Sequence, residues 1–264
     1  MKTSCKKIYK VFLSLFFAGC FLFLNASCGL DEYFVLDNPK PIPEHQPSVT
    51  PDIQNEFQEN YVTFLTQENE MTDWINNPAS NFTFEGTEVY YKIYNNYQKF
   101  SSETGSLNSI SSSENYSSAG TKLLDYGFLP LACENYDESP IVPATGTNRL
   151  VKIRLTDYQT ENEYSSRIEL AGVSISGDGK SSQPRRNGIV GNYSFNFGRA
   201  SDNQDLNKVP SQNDADCNYS SSDKNFFYVP LYAVAVGRDS NYTTYYSNIL
   251  YLGTITIDAD SRDN

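Results

Sequence analysis

Residues 226–236 constrain this chain more than any other stretch. Phe227, Val229, Leu231, Ala233 and Ala235 alternate with Phe226, Tyr228, Tyr232, Val234 and Val236, so an extended backbone here is apolar on both faces. A strand of that kind settles only at the centre of a sheet, with a core on one side and cover over at least part of the other. Pro230 brings no N–H, so it must fall at a bulge or where the ladder needs no donor. The tract 248–257 follows after 237–247, and it reads with 226–236 as a hairpin whose long tip is 237–247.

Other segments alternate in the same way. In residues 84–94, Val89, Tyr91 and Ile93 share one face, expected to point to the core, and Glu88, Tyr90, Lys92 and Tyr94 share the other. Further strands are expected at 61–65, 149–155, 166–175 and 193–197, separated by turn residues. Tyrosine and phenylalanine, 20 and 16 in number, favour pleated surfaces, as do the threonines, valines and isoleucines between them. The expected fold is mainly β: an antiparallel β-sandwich with a short helical insertion, occupying residues 52–258 and followed by a tail at 259–264.

The insertion is residues 101–131, rich in Ser, Asn and Glu, with Leu107, Ile110, Leu123, Leu124, Tyr126 and Phe128 at irregular spacing. One or two short helices are expected there. Ser111, Ser112 and Ser113, with Glu114, can cap a helix running towards Leu124, and Gly127 with Pro130 would end it. A polar loop at 201–224 is the other long insertion.

At the N-terminus, Lys2, Lys6, Lys7 and Lys10 precede an apolar run from Val11 to Leu24 that contains no charge. That layout is a signal peptide, and a run of about 14 residues falls short of the roughly 20 that span a bilayer as a helix. Leu24-Asn25-Ala26-Ser27-Cys28-Gly29 resembles a bacterial lipobox, in which small residues admit the peptidase and the cysteine thiol receives a diacylglycerol. The box is a relaxed one, with Asn25 where a branched apolar residue is usual. A second candidate at Phe17-Ala18-Gly19-Cys20 would leave a core of only about 8 apolar residues. Residues 1–27 are therefore expected to be removed, with Cys28 lipidated. Residues 28–51 follow, with Pro39, Pro41, Pro43, Pro47 and Pro51 among acids, and they are expected to form a semi-extended tether. His45, the single histidine, lies in that tether and is expected to be solvated.

Charge and residue types narrow the function. Loss of residues 1–27 removes four lysines and no acid, which takes the formal charge from −12 to −16. Nucleic-acid binding needs clustered cations, and Arg185-Arg186 is the one basic cluster left, so no nucleic-acid partner is expected. With no histidine in the domain there is no Ser-His-Asp or Cys-His arrangement, and G-x-S-x-G does not occur. Gly172, Gly177 and Gly179 lack phosphate-loop spacing and the Lys-Ser that follows it, so residues 172–179 are expected to be a turn. Asp202, Asn203, Asp205, Asn207, Asp214 and Asp216 offer oxygens without the order of a calcium loop, and read as a mobile polar loop. No cofactor, metal site or catalytic residue is expected.

Gly86-Thr87-Glu88-Val89-Tyr90-Tyr91-Lys92-Ile93-Tyr94, then Phe227-Tyr228-Val229-Pro230-Leu231-Tyr232-Ala233-Val234-Ala235-Val236-Gly237, then Tyr246-Ser247-Asn248, resemble the third and last two strands of a fibronectin type III-like sandwich of the immunoglobulin-like class. From Ser27-Cys28-Gly29-Leu30-Asp31-Glu32-Tyr33 through those strands, the layout is similar to uncharacterised lipoproteins of treponeme-type spirochaetes. The resemblance implies a cell-envelope location and brings no activity with it.

The expected role is a membrane-anchored module that binds an envelope or host protein or a glycan. A structural envelope component and a carbohydrate-active enzyme using two carboxylates are the alternatives. Two contact patches are expected: Tyr90 with Tyr94 on an outer sheet face unless residues 101–131 cover it, and Tyr242, Tyr245 and Tyr246 near the hairpin tip. Cys133 and Cys217, left in the mature chain beside Cys28, suggest a disulfide in an exported domain; it would restrict the unfolded chain by about 4–5 kcal/mol. Two thiols are the alternative. The lipidation reading has a direct outcome: Cys28→Ser should move the protein to the soluble fraction and abolish fatty-acid labelling, as fractionation of labelled cells would show.

Overall fold

The computed structural model describes residues 36–43, 45–49, 57–66, 81–111, 119–133, 139–145, 148–156, 166–175, 182–187, 197, 210, 214–220 and 226–258. The signal segment, Cys28, the strand expected at 193–197 apart from Phe197, residues 201–209 and the tail at 259–264 lie outside them. In chain order the elements are β1 (Lys40–Pro41), β2 (Val62–Leu65), β3 (Phe82–Tyr91), β4 (Ile93–Tyr94), α1 (Tyr97–Ser111), α2 (Ala119–Asp125), β5 (Leu129–Pro130) and β6 (Ala132–Cys133). They continue with β7 (Val142–Pro143), β8 (Leu150–Arg154), β9 (Arg167–Leu170), β10 (Val173–Ser174), β11 (Pro184–Arg185), β12 (Cys217–Asn218), β13 (Phe226–Asp239), β14 (Thr244–Tyr246) and β15 (Leu250–Asp258).

The domain is mainly β, with its strands in antiparallel sheets apart from the short parallel pair β12–β4. One sheet has the order β1-β2-β8-β9-β10, and a larger one is built around β13. There β3 pairs with residues 231–239 of β13, and β15 pairs with residues 226–233. The two sheets share one core. Val62, Phe64, Val151, Ile153 and Ile168 come from the first, and Val89, Tyr91, Ile93, Val229, Leu231, Ala233, Ile255 and Ile257 from the second. The opposite face of β13 and β3 carries a second core, where Tyr90, Tyr94, Tyr232 and Val234 meet Phe100 and Leu107 of α1, Leu123 of α2, and Phe128. β13 is thus buried on both sides, as its apolar faces require.

Pro230 is accommodated without a bulge of its own. The register pairs Leu231 with Tyr91 and Tyr228 with Tyr94, which sets Pro230 opposite Lys92, the residue where β3 breaks from β4. The missing N–H therefore coincides with the interruption of the ladder. The hairpin tip is tighter than expected, because β14 folds back onto β13 with Val236 opposite Tyr246 and Arg238 opposite Thr244.

Helix α1 starts at Asn96, whose Oδ1 accepts the Lys99 N–H at 2.9 Å, an N-cap. Ser111, expected to cap the next helix, instead ends α1. Helix α2 stops as its sequence indicates. Gly127 takes φ +76°, its N–H bonds to Leu124 O at 2.8 Å, and Phe128 N–H bonds to Leu123 O at 2.9 Å. This pair of bonds is a Schellman ending, and its usual apolar contact is supplied by Phe128 and Leu123 in the second core.

Two expectations about extended segments are corrected. Residues 166–175 do not form one strand: Ala171 and Gly172, at φ 53° and 79°, turn the chain so that β10 pairs back onto β9. The proline-rich segment is not a free tether over its described length. Leu36 is buried, β1 pairs with β2, Pro47 packs against Gly253 of β15, and Val49 O accepts the Thr256 hydroxyl at 2.9 Å. Gly253 sits at φ +124°, and a Cβ there would lie 2.9 Å from Pro47 Cδ, so the crossing depends on a glycine.

Two glycines should respond to alanine with opposite signs. At Gly86, with φ +143°, a Cβ would lie 2.2 Å from the Val142 carbonyl oxygen, so Gly86→Ala should lower stability by about 2–4 kcal/mol. Exposed Gly105 in α1 has nothing within 4 Å, so Gly105→Ala should raise stability by about 0.5–1 kcal/mol. Urea unfolding of the two variants against the parent chain measures both.

Candidate functional site

The expected contact residues meet different fates. Tyr90 and Tyr94 are 3% and 0% exposed, because the two helices lie over that face. They pack rather than contact a partner, the outcome expected if residues 101–131 cover that face. Their hydroxyls stay satisfied under cover: Tyr90 donates to Glu88 and Tyr94 to Glu103, and Glu103 also takes Lys92 Nζ at 2.8 Å. Burial, reinforced by those carboxylates, pushes both phenols well above their ordinary range.

The hairpin tip divides. Tyr246 is half-buried, shares a hydrogen bond with Tyr90, and lies against Gly120 of α2, where a Cβ would come within 2.8 Å of its ring. Tyr245 donates to Asp239 Oδ2 at 3.2 Å and meets Phe82 edge-on at 5.6 Å. Tyr242 alone of the three is free of the fold, 82% exposed. Its backbone is held firmly all the same. Asp239 Oδ1 accepts the N–H groups of Asn241 and Thr243 at 2.9 and 2.8 Å, and Asp239 N–H bonds to Thr243 O. Desolvation raises the Asp239 carboxyl, but the N–H donors of Thr243 and Asn241 and the Tyr245 hydroxyl together outweigh it and hold the group below the usual carboxylate range. Tyr242 itself sits at φ 65°, a left-handed conformation that a bulky side chain rarely adopts.

Sequence reasoning missed a buried ionic cluster. Arg186 Nε and Nη2 donate to the two oxygens of Asp216 at 2.8 and 2.5 Å, and Nη2 also reaches Asp214 at 2.9 Å. The Arg186 and Asp216 side chains are fully buried and Asp214 is nearly so. Tyr91 donates to Asp216 Oδ2 at 2.7 Å, and the Asn187 N–H donates to the Tyr91 oxygen at 2.6 Å. Asp216 O in turn accepts the Ile93 N–H, and Asn95 exchanges side-chain amide bonds with the Ser220 backbone. The cluster thus binds segments 182–187 and 214–220 to the edge formed by β3 and β4. Asp214 and Asp216, expected in a mobile loop, are structural counter-ions. The signal was a basic pair and two acids about thirty residues apart, a separation no periodic pattern marks.

Beside this cluster, Cys133 and Cys217 both carry thiols, so the disulfide is absent from this structure. Burial, opposed by Arg186 and reinforced by Asp216 and Asp214, leaves the Cys217 thiol pushed up to about 12. It is protonated and unreactive at neutral pH.

His45 is likewise not a solvated tether residue. Its ring stacks on Tyr61 at 3.7 Å and 9°, Nδ1 lies 3.3 Å from Glu59, and Nε2 lies 2.9 Å from Tyr61 O. Lys152 Nζ stands 3.9 Å from the same ring centroid. Two groups that close cannot share one face, so Tyr61 is clasped between an imidazole and an ammonium. Burial and then Arg154 lower the Lys152 pKa. Among the described residues, no group of three or more His, Cys, Asp or Glu side chains is placed to hold a metal ion.

No family model, curated protein or solved structure matches this chain.

Removing the cation from the buried cluster tests its structural role. Arg186→Met leaves two carboxylates buried without their counter-charge and should cost about 3–5 kcal/mol at pH 7. The deficit should narrow as pH falls towards 5, because orphaned buried carboxylates take up protons and lose the desolvated charge. Urea unfolding of both chains at the two pH values measures it.

Proposed function

We propose that this chain is an exported lipoprotein, anchored through Cys28, whose fibronectin type III-like domain acts by binding a protein or glycan of the cell envelope or of a host. The observation that carries the binding reading is Tyr242: a large aromatic, 82% exposed, held in left-handed backbone at the end of a hairpin whose turn is bonded throughout. A left-handed L-residue costs roughly 1–2 kcal/mol. Asparagine or glycine would fill the position at lower cost, and neither offers the contact area of a phenol ring. Strain retained at an exposed loop tip on a rigid scaffold is the mark of a recognition residue. The likeness to treponeme-type spirochaete lipoproteins and the succession of lysines, apolar run and small residues before Cys28 support the location.

Tyr242→Gly separates recognition from structure. It relieves the strained backbone and removes the ring, so stability should stay level or rise by up to ~1 kcal/mol. Capture of partners from envelope extract, or retention on a glycan array, should fall several-fold. Undiminished capture would exclude the tip, and turnover of a glycan by the purified domain would overturn the binding reading.

A further inference from the structure

The first sheet has one end at which several independent features meet. Lys40 opens β1 and lies opposite Leu65, the last residue of β2. Leu65 lies opposite Leu150, which opens β8, and Leu150 O accepts the Ala171 N–H at 2.7 Å in the β9–β10 turn. Val173, the first residue of β10, lies opposite Leu170 at that same turn. This end exposes apolar side chains: Leu150 is 42% and Val173 62% exposed, Ala171 is exposed, and Gly172 faces open space. Lys40 and Arg149 are exposed cations there, and Asp37 is an exposed anion.

The chain also enters the domain at this end. β1 runs antiparallel to β2, so residues before Lys40 approach from beyond Leu65. Leu36, the first of the described residues, is buried in the domain. Counting from Cys28, 36 − 28 leaves eight residues, and an extended chain of that length reaches at most about 29 Å. A tether running to residue 51 would reach well over twice as far. With the leash shortened, a lipid on Cys28 keeps the sheet end that carries Leu150 and Val173 within about one protein diameter of the bilayer.

We propose that this end of the first sheet is a membrane-contact surface, with Leu150, Ala171 and Val173 seated in the interfacial region of the bilayer. The proposal rests on the reading of Cys28 as the lipidated residue. Side chains lodged at the interface sit about 5–10 Å into the headgroup and acyl boundary. The contact is apolar, because a mature chain of formal charge −16 gains nothing from anionic headgroups. The lipid holds the chain and the sheet end sets its orientation.

The test uses the full-length lipidated protein in phosphatidylcholine vesicles that contain an acyl-chain nitroxide lipid as quencher. An environment-sensitive fluorophore is placed on Val173→Cys, on Leu150→Cys, or on Gln58→Cys, an exposed position beyond the other end of β2. Cys133 is buried and Cys217 is protonated, so the introduced thiol takes the label. Quenching should be several-fold stronger at 173 and 150 than at 58. Equal quenching at all three positions, or stronger quenching at 58, overturns the surface. Cys28→Ser in each labelled protein distinguishes the premises. Release from the vesicles keeps the anchor intact whatever the quenching shows, whereas retention removes the anchor and the proposal with it.

Discussion

A strand buried on both faces sets the architecture. β13 contributes Val229, Leu231 and Ala233 to the core between the sheets, and Tyr232 and Val234 to the core under the helices. Without α1 and α2 the second face would lie open as an apolar surface of the kind that aggregates. The covering helices are poor ones by composition, since α1 is rich in serine and carries a glycine at 105. Their polarity is what the tyrosines need. Glu103 accepts from Tyr94, and Asn108 Oδ1 accepts from Tyr232 at 3.2 Å, so hydroxyls that burial would otherwise orphan are bonded to the helix above them. Phe100 and Leu107 supply the apolar contact, and the hydroxyl bonds fix the helix along its axis.

What was legible in the sequence is what repeats at short range. Alternation at 89–94 assigned both faces correctly, and the double apolar face of 226–236 implied cover on two sides, because each rests on a period of two. Gly127 marked the end of α2 because a left-handed ending selects glycine. Legibility ended where partners are distant or strands are two residues long. Nothing local relates Arg186 to Asp216, or Asn95 to Ser220, yet these pairs bind the loops to the sheet. Residues 172–179 read as a turn, but its start at Ala171 was hidden inside the strand expected at 166–175, because alanine is an unusual first residue for a turn with both φ positive, a place where asparagine or aspartate is the ordinary signal.

The site was half legible for the same reason. Tyr90, Tyr94, Tyr242, Tyr245 and Tyr246 are chemically alike, and sequence placed the last three near a hairpin tip while leaving Tyr90 and Tyr94 exposed or packed according to whether residues 101–131 cover them. Their separation depends on whether a second layer arrives above them, which is a property of the whole fold. Tyr90 and Tyr94 lie beneath α1 and α2, and Tyr246 packs under Gly120 of α2. Tyr245 is drawn back by Asp239 and Phe82. Of the five, only Tyr242 is left largely exposed, on a turn whose geometry comes from Asp239, three residues earlier.

Proline richness in the N-terminal segment has a physical meaning other than flexibility. A proline on a sheet edge leaves no donor for a further strand, so Pro41 in β1 closes the first sheet against pairing with another chain. Two paired residues hold an edge strand weakly, and the segment is secured elsewhere. Leu36 is buried ahead of the strand, and beyond it His45 stacks on Tyr61, Pro47 sits in the space left by Gly253, and Val49 bonds to Thr256. Tyr61 precedes β2 in the first sheet, whereas Gly253 and Thr256 belong to β15 in the second. The segment therefore fastens one sheet to the other across the side where β2 and β15 meet, a junction also bridged by Asn60 Nδ2 donating to Thr256 O at 2.9 Å.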